Sequence, residues 1–264
     1  MSDQRPRADA LYDPAILTAR QVLYRYLSLA FSDPRSGCWT SLANPDLQEC
    51  VNMAATLIRS EPAARAPELG PGERPLESLD PGRIFSSIPS AAAELNSEYE
   101  RVFGLLVSGS APPYETEYVD GKFTFQRSQQ LAEIAGFYRA FGLEVSDESP
   151  DRQDHVALEL EFMAVLIGLE SRAARHGGTD CARANICRDG QQRFLENHLI
   201  WWVPAFARLL ERELPNGFYT AAGDFLTAFL PAERVLVDVT IPNVASGPSL
   251  LERPEECEGC PMHV

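Results

Sequence analysis

The chain has 264 residues, 45% of them hydrophobic, and a formal net charge of −15. That is enough for one large domain or two small ones with a sizeable core, and its acidic surface repels nucleic acid and anionic lipid while favouring cationic partners. Lys122 is the only lysine, which excludes a P-loop lysine and leaves no other lysine for Schiff-base chemistry.

Met1 to Arg7 are followed by no apolar run that could act as a signal peptide. The apolar run Phe162 to Leu169, counting Gly168, is far too short to span a bilayer. The expectation is a cytoplasmic chain without stable membrane insertion. Its six cysteines are too sparse for a disulfide scaffold.

Asp13-Pro14 opens the first helix, with the aspartate as cap and the proline at the first helical position. Ile16, Ala19, Leu23, Tyr26, Leu27 and Ala30 recur at helical spacing until Asp33-Pro34 stops it. Asn44-Pro45 repeats the start signal, and Leu47, Val51, Ala54 and Ile58 form the next stripe. Residues 61 to 82 hold five prolines and three glycines and read as a flexible loop or linker. A third helix covers Ser90 to Gly104, and Ser108 to Pro113 break the chain before a short extended piece, Tyr114 to Phe125.

Gln126 to Phe141 is helical again, and Gly142 suits the left-handed position that closes it. Ser149-Pro150 starts a longer helix to about Arg175. Further helices fit Asp180 to Leu199, Pro204 to Leu214 and Phe218 to Leu230. Val235 to Ile241 is the only β-like run, and one strand makes no sheet. The prediction is all-α: a single-domain bundle of about eight helices over residues 1–231, and an extended tail over residues 232–264 that contains four prolines.

Chemistry-bearing motifs are few. There is no Gly-x-Gly-x-x-Gly, no His-Glu-x-x-His and no Gly-x-Ser-x-Gly. Glu159 and Glu161 sit two apart, on different helix faces, and read as solvated rather than as an acid/base pair. The tail carries Cys257-Glu258-Gly259-Cys260-Pro261-Met262-His263. Cys257, Cys260 and His263 could bind zinc or join an iron–sulfur site with a further donor such as Cys181, Cys187 or His176, could do thiol redox chemistry, or could be inert. Cys38 and Cys50 read as core fillers.

Four segments, in order, resemble the TorD/DmsD/NarJ family of redox-enzyme maturation chaperones. They are Glu98 to Phe103 (Glu-Tyr-Glu-Arg-Val-Phe), Pro112 to Tyr118 (Pro-Pro-Tyr-Glu-Thr-Glu-Tyr), Asp154 to Met163 (Asp-His-Val-Ala-Leu-Glu-Leu-Glu-Phe-Met) and His198 to Phe206 (His-Leu-Ile-Trp-Trp-Val-Pro-Ala-Phe). Two departures stand out. Arg152-Gln153 precede the Asp-His pair where the family often has proline, and the cysteine tail lies outside the shared pattern.

The resemblance implies an all-helical, non-catalytic chaperone without a cofactor. Its partner would be the catalytic subunit of a molybdopterin-containing oxidoreductase. The chaperone would bind the twin-arginine leader or N-terminus of that subunit and hold the apoenzyme for cofactor insertion before export. It places peptide binding at Tyr114, Glu115, Asp154 and His155, with Pro112 and Pro113 shaping the loop and Tyr118 beside them. Carboxylates that grip arginine and an aromatic-lined groove suit such a ligand. Each residue also has a plainer reading: Asp154 favouring a helix start, His155 as a structural hydrogen bonder, Tyr114 and Tyr118 as packing, Glu115 as a solvated turn residue. Trp201 and Trp202 read as core, with at least one pointing inward. The alternative function is a metal- or cluster-binding redox protein built on the tail.

Overall fold

A computed structural model of the chain describes residues 13–64, 67–104, 109–119, 124–146, 151–176 and 180–241. The architecture is all-α. Its helices are α1 (Pro14–Phe31), α2 (Cys38–Leu42), α3 (Pro45–Ser60), α4 (Pro81–Ser87), α5 (Ala92–Phe103), α6 (Thr124–Ala140), α7 (Val156–His176), α8 (Asp180–Phe194), α9 (Ile200–Glu213) and α10 (Phe218–Leu236). Among the described residues the single β-type pairing is one antiparallel bridge, Tyr114 with His155. No helix of the described residues is long and apolar enough to cross a membrane.

The local start signals act as their chemistry dictates. Asp13 accepts from Ala15 N at 2.8 Å and Asn44 from Asp46 N at 2.8 Å, each followed by proline at the first helical position. Gly142 takes φ +73° after α6, and Leu143 N donates back to Tyr138 O. The predicted α1 face is buried against α7 and α3.

α10 is buried on nearly every side and forms the centre of the bundle, packed by α9, α1, α4 and α5. It does not stop at Leu230, as its Pro231 suggests, but runs through to Leu236. Proline removes the bond that Thr227 O would accept. Arg74 N, from the Pro/Gly-rich segment, donates to that carbonyl at 3.1 Å instead. This segment is no free linker. Arg234 on α10 forms a bidentate pair with Glu73, at 2.7 and 2.6 Å, with both side chains buried. Leu76 and Leu79 add apolar contact. The strap thus stabilises a helix that its own sequence would interrupt.

Three other expectations change. α7 begins at Val156 rather than at Ser149-Pro150, because residues 154–156 are first engaged by the 113–115 loop; Pro150 itself lies outside the described residues. α8 and α9 do not part at Leu199. A π-helical turn, Leu195–Leu199, joins them, and α9 carries Pro204 in its interior. Cys50 is exposed, on the polar face of α3, whereas Cys38 is buried as expected.

A second buried polar network ties α1 to the rest. Arg20 donates to Glu233 from Nε at 2.7 Å and to Gln191 Oε1 at 2.9 Å, and Gln191 Nε2 donates to Glu170 at 2.7 Å. Such a network is costly unless every member is satisfied.

Candidate functional site

Three of the four motifs converge where the 112–118 loop meets the turn before α7. Glu115 N donates to Asp154 O at 2.9 Å, and Val156 N to Pro113 O at 2.8 Å. Those two bonds hold Tyr114 opposite His155, their rings edge to face at 5.2 Å. Tyr118 turns under the loop. Its hydroxyl donates to Pro112 O at 2.9 Å and its ring leans on Trp202, 5.1 Å between centroids.

Glu115 is not a solvated turn residue; its exposure is 0%. Its carboxylate accepts from Gln130 Nε2 at 2.6 Å, Trp201 Nε1 at 3.0 Å and His198 Nδ1 at 3.0 Å. Gln130 comes from α6, His198 from the π turn and Trp201 from α9, so one carboxylate ties three helical segments to the loop. The second ring nitrogen of His198, Nε2, is buried without a hydrogen-bond partner among the described residues.

Asp154 is equally buried. It accepts from Thr116 N at 3.2 Å and Thr116 Oγ1 at 2.7 Å, and from Arg152 Nε at 2.9 Å and Nη2 at 2.6 Å. The Arg152 guanidinium also lies over the Tyr114 ring, 4.5 Å from its centroid. Asp154 therefore organises the loop rather than simply favouring a helix start. His155 caps α7. Its Nδ1 accepts from Ala157 N at 3.1 Å, which places the ring proton on Nε2, 4.0 Å from Asp151 Oδ1. Burial pushes this imidazole below its ordinary value, against the pull of Asp151 and Asp154.

Glu159, read from the sequence as solvated, is fully buried one turn into α7, whereas Glu161 is exposed. Trp202 Nε1 donates to one of its oxygens at 3.3 Å. Burial, reinforced by the charges of Glu115 and Asp154, raises this carboxyl well above the usual carboxylate range. A carboxyl biased towards its protonated form thus sits beneath the loop. Trp202 is wholly buried and Trp201 half-buried, in line with at least one indole pointing inward.

The first motif lies elsewhere. Glu98 accepts from Phe218 N at 3.1 Å, at the start of α10, and Arg101 Nη2 donates to Glu213 O at 2.9 Å. Tyr99 and Phe103 pack on Tyr219. Its charges are end-to-end helix fasteners rather than an ion pair within one helix.

An apolar cavity of about 340 Å³ runs beside α7, lined by Tyr138, Leu143, Val145, Leu158, Phe162 and Val165, with Glu144 and Glu161 at its rim. It begins about one helical turn beyond Asp154. Among the described residues no group of three His, Cys, Asp or Glu side chains could hold a metal ion. Cys257, Cys260 and His263 lie outside the described residues, as do the side chains of His176 and Cys181. Cys187 is buried and unpaired.

Comparison with known proteins gives the same direction. The family model described as nitrate reductase delta subunit matches residues 84–208. The chaperone protein TorD of Vibrio cholerae serotype O1 (strain El Tor Inaba N16961) is 29% identical over 149 residues, 56% of this chain and 64% of that protein. This chain thus spans less than two thirds of that relative's length. TorD of Psychrobacter sp. (strain PRwf-1) is 28% identical over 223 residues, 82% of this chain and 90% of the relative. The selenate reductase assembly chaperone protein of Thauera selenatis is 35% identical over 104 residues, 39% of this chain and 51% of the relative. With its motifs in order and three of them drawn together in an all-helical fold, the chain is similar to TorD chaperones and to reductase assembly chaperones.

Proposed function

We propose that this chain is a cytoplasmic, non-catalytic chaperone that binds the leader peptide or N-terminal segment of a molybdopterin oxidoreductase catalytic subunit. It holds the apoenzyme for cofactor insertion before twin-arginine export. The observation that carries this reading is the joining of the 112–118 loop to the Asp154-His155 turn over a buried acid–histidine–indole cluster, next to an apolar cavity with an acidic rim. An arginine-bearing, then apolar, segment finds both of its chemistries there. Asp154 and Tyr114 meet the ligand; Pro112, Pro113, Glu115, Tyr118 and His155 hold the surface that presents them.

The test has two parts. The chain is used to capture a protein from its native cell, and the captured N-terminus is identified. A peptide of that sequence is then titrated by calorimetry. Asp154→Ala is expected to weaken binding about tenfold or more, since a forked, charged hydrogen bond is lost, and to flatten its salt dependence. Unchanged isotherms at both salt concentrations remove Asp154 from the site. Failure of the captured protein's N-terminal peptide to bind at all ends the reading.

A further inference from the structure

Arg152 is held as a bound ligand would be. Its Nε and Nη2 form a fork on the two oxygens of Asp154, Nη2 also donates to Thr116 Oγ1 at 2.7 Å, and Nη1 stands 3.6 Å from Glu117 Oε1. The face of the guanidinium is stacked on Tyr114. The carboxylate fork and the aromatic wall distinguish guanidinium from ammonium, and the hydroxyl and the second carboxylate add attraction for any cation.

The two partners differ in accessibility. The Asp154 side chain is 0% exposed, whereas that of Arg152 is 45% exposed. The carboxylate is therefore a fixed, buried floor, and the cation is a lid open to solvent. Arg152 is only two residues from Asp154 and can swing away by rotating its own side chain. Were it to leave, Asp154 would keep only its Thr116 donors and would remain a buried charge without a counter-ion. Such a site needs a cation.

We propose that Tyr114, Thr116, Glu117 and Asp154 form a receptor site for one guanidinium group of the bound segment, and that Arg152 is an internal occupant which an incoming arginine displaces. This rests on the peptide-binding reading above and adds both the ligand group and its regulation. The chain's own arginine blocks the site against stray cations and sets a threshold for binding. An occupant present nine-tenths of the time lowers apparent affinity about tenfold.

The test compares the full chain with Arg152→Ala and Arg152→Lys. The probes are a synthetic peptide with an Arg-Arg pair before an apolar run, and its Lys-Lys twin. Arg152→Ala is expected to bind the Arg-Arg peptide about tenfold tighter than the parent, with a much smaller gain for the twin. Arg152→Lys, which keeps the charge but lacks the fork, should gain in the same direction and serves if Arg152→Ala does not fold. In parallel, methylguanidinium should raise the melting temperature of the variant that is used, and methylammonium should not.

If the parent chain binds the Arg-Arg peptide and neither variant binds it tighter, the displacement proposal falls and the peptide-binding reading survives. An equal gain for both peptides reduces the effect to net charge and also overturns it. If no protein binds either peptide, the peptide-binding reading fails, and selective rescue by methylguanidinium alone decides whether the guanidinium site exists.

Discussion

Replacing Glu115 by alanine tests the central claim that one buried carboxylate knots the loop to three helical segments. The substitution strips the acceptor from three donors. The His198 ring is wholly buried, so its Nδ1 loses a partner that water does not replace. Gln130 and Trp201 are half-buried and recover part of what they lose through solvent. A buried donor left unpaired costs about 1–3 kcal/mol, and the two half-buried ones about half as much each, so a loss of roughly 4 kcal/mol is expected. Urea unfolding followed by far-ultraviolet circular dichroism measures it, with an unchanged slope showing that the folded state is otherwise intact. Glu115→Gln should fall between the two proteins. Its amide oxygen keeps some of the donors, while its NH2 group turns towards another donor. Trp201 fluorescence should shift to the red in the alanine variant as the indole loses its anchor. A stability change within about 0.5 kcal/mol, the range of ordinary surface substitutions, would show that the cluster does not hold the loop.

Glu73→Ala leaves the Arg234 guanidinium buried without its counter-ion and should destabilise the fold by about 3–5 kcal/mol in the same urea assay; a loss below about 1 kcal/mol would mean that the strap is not holding α10. Glu159→Gln carries a pH signature. Because its folded carboxyl is raised above the unfolded value, the native protein keeps this proton, and the associated stability is full below the unfolded value and falls as pH rises through the folded one. The glutamine variant should match the parent near pH 4 and become the more stable protein as pH rises; parallel stability curves would contradict a neutral Glu159. Metal analysis of the purified chain is expected to find no stoichiometric zinc or iron, whereas stoichiometric metal that is lost in Cys257→Ser would favour the redox reading of the tail.

How far the sequence discloses this molecule depends on how local the controlling interaction is. Asp13, Asn44 and Gly142 act within a turn of their own position, so their residue type and their neighbours suffice to place them. The proline signals fail for the opposite reason. Pro231 reads as a stop because its missing donor strands the Thr227 carbonyl, and the partner that rescues it, Arg74, lies some 150 positions away in the chain. Pro204 reads as a helix start, yet it lies inside α9, which a π turn joins to α8. Glu159 shares its local pattern with Glu161, and nothing short of the packing of Trp202 and the 112–118 loop separates a buried neutral acid from a solvated one. Three of the motif segments meet in the structure, and the fourth in chain order contains His198 and Trp201; their pairing with Glu115 is visible only with the loop resting on α9. Thr116, Gln130 and Arg152 carried no signal of their own beyond lying in or near those segments.

The start of α7 ties the proposed binding surface to the fold. The residue that caps the helix, His155, is bridged to Tyr114; the residue before it, Asp154, accepts both the loop hydroxyl and the Arg152 fork; and the helix then supplies Glu159 to the buried cluster and Leu158 to the apolar cavity. A ligand that pulls Arg152 away changes the charge balance at a helix end whose other contacts are all buried. The response should therefore be confined to exposed Arg152 and half-buried Glu117, while the backbone bridge stays in place. Hydrogen exchange can check this directly. The amides of Glu115 and Val156 should remain protected in free and bound protein alike, and loss of their protection on binding would mean that the loop opens as a unit instead of serving as a preformed receptor.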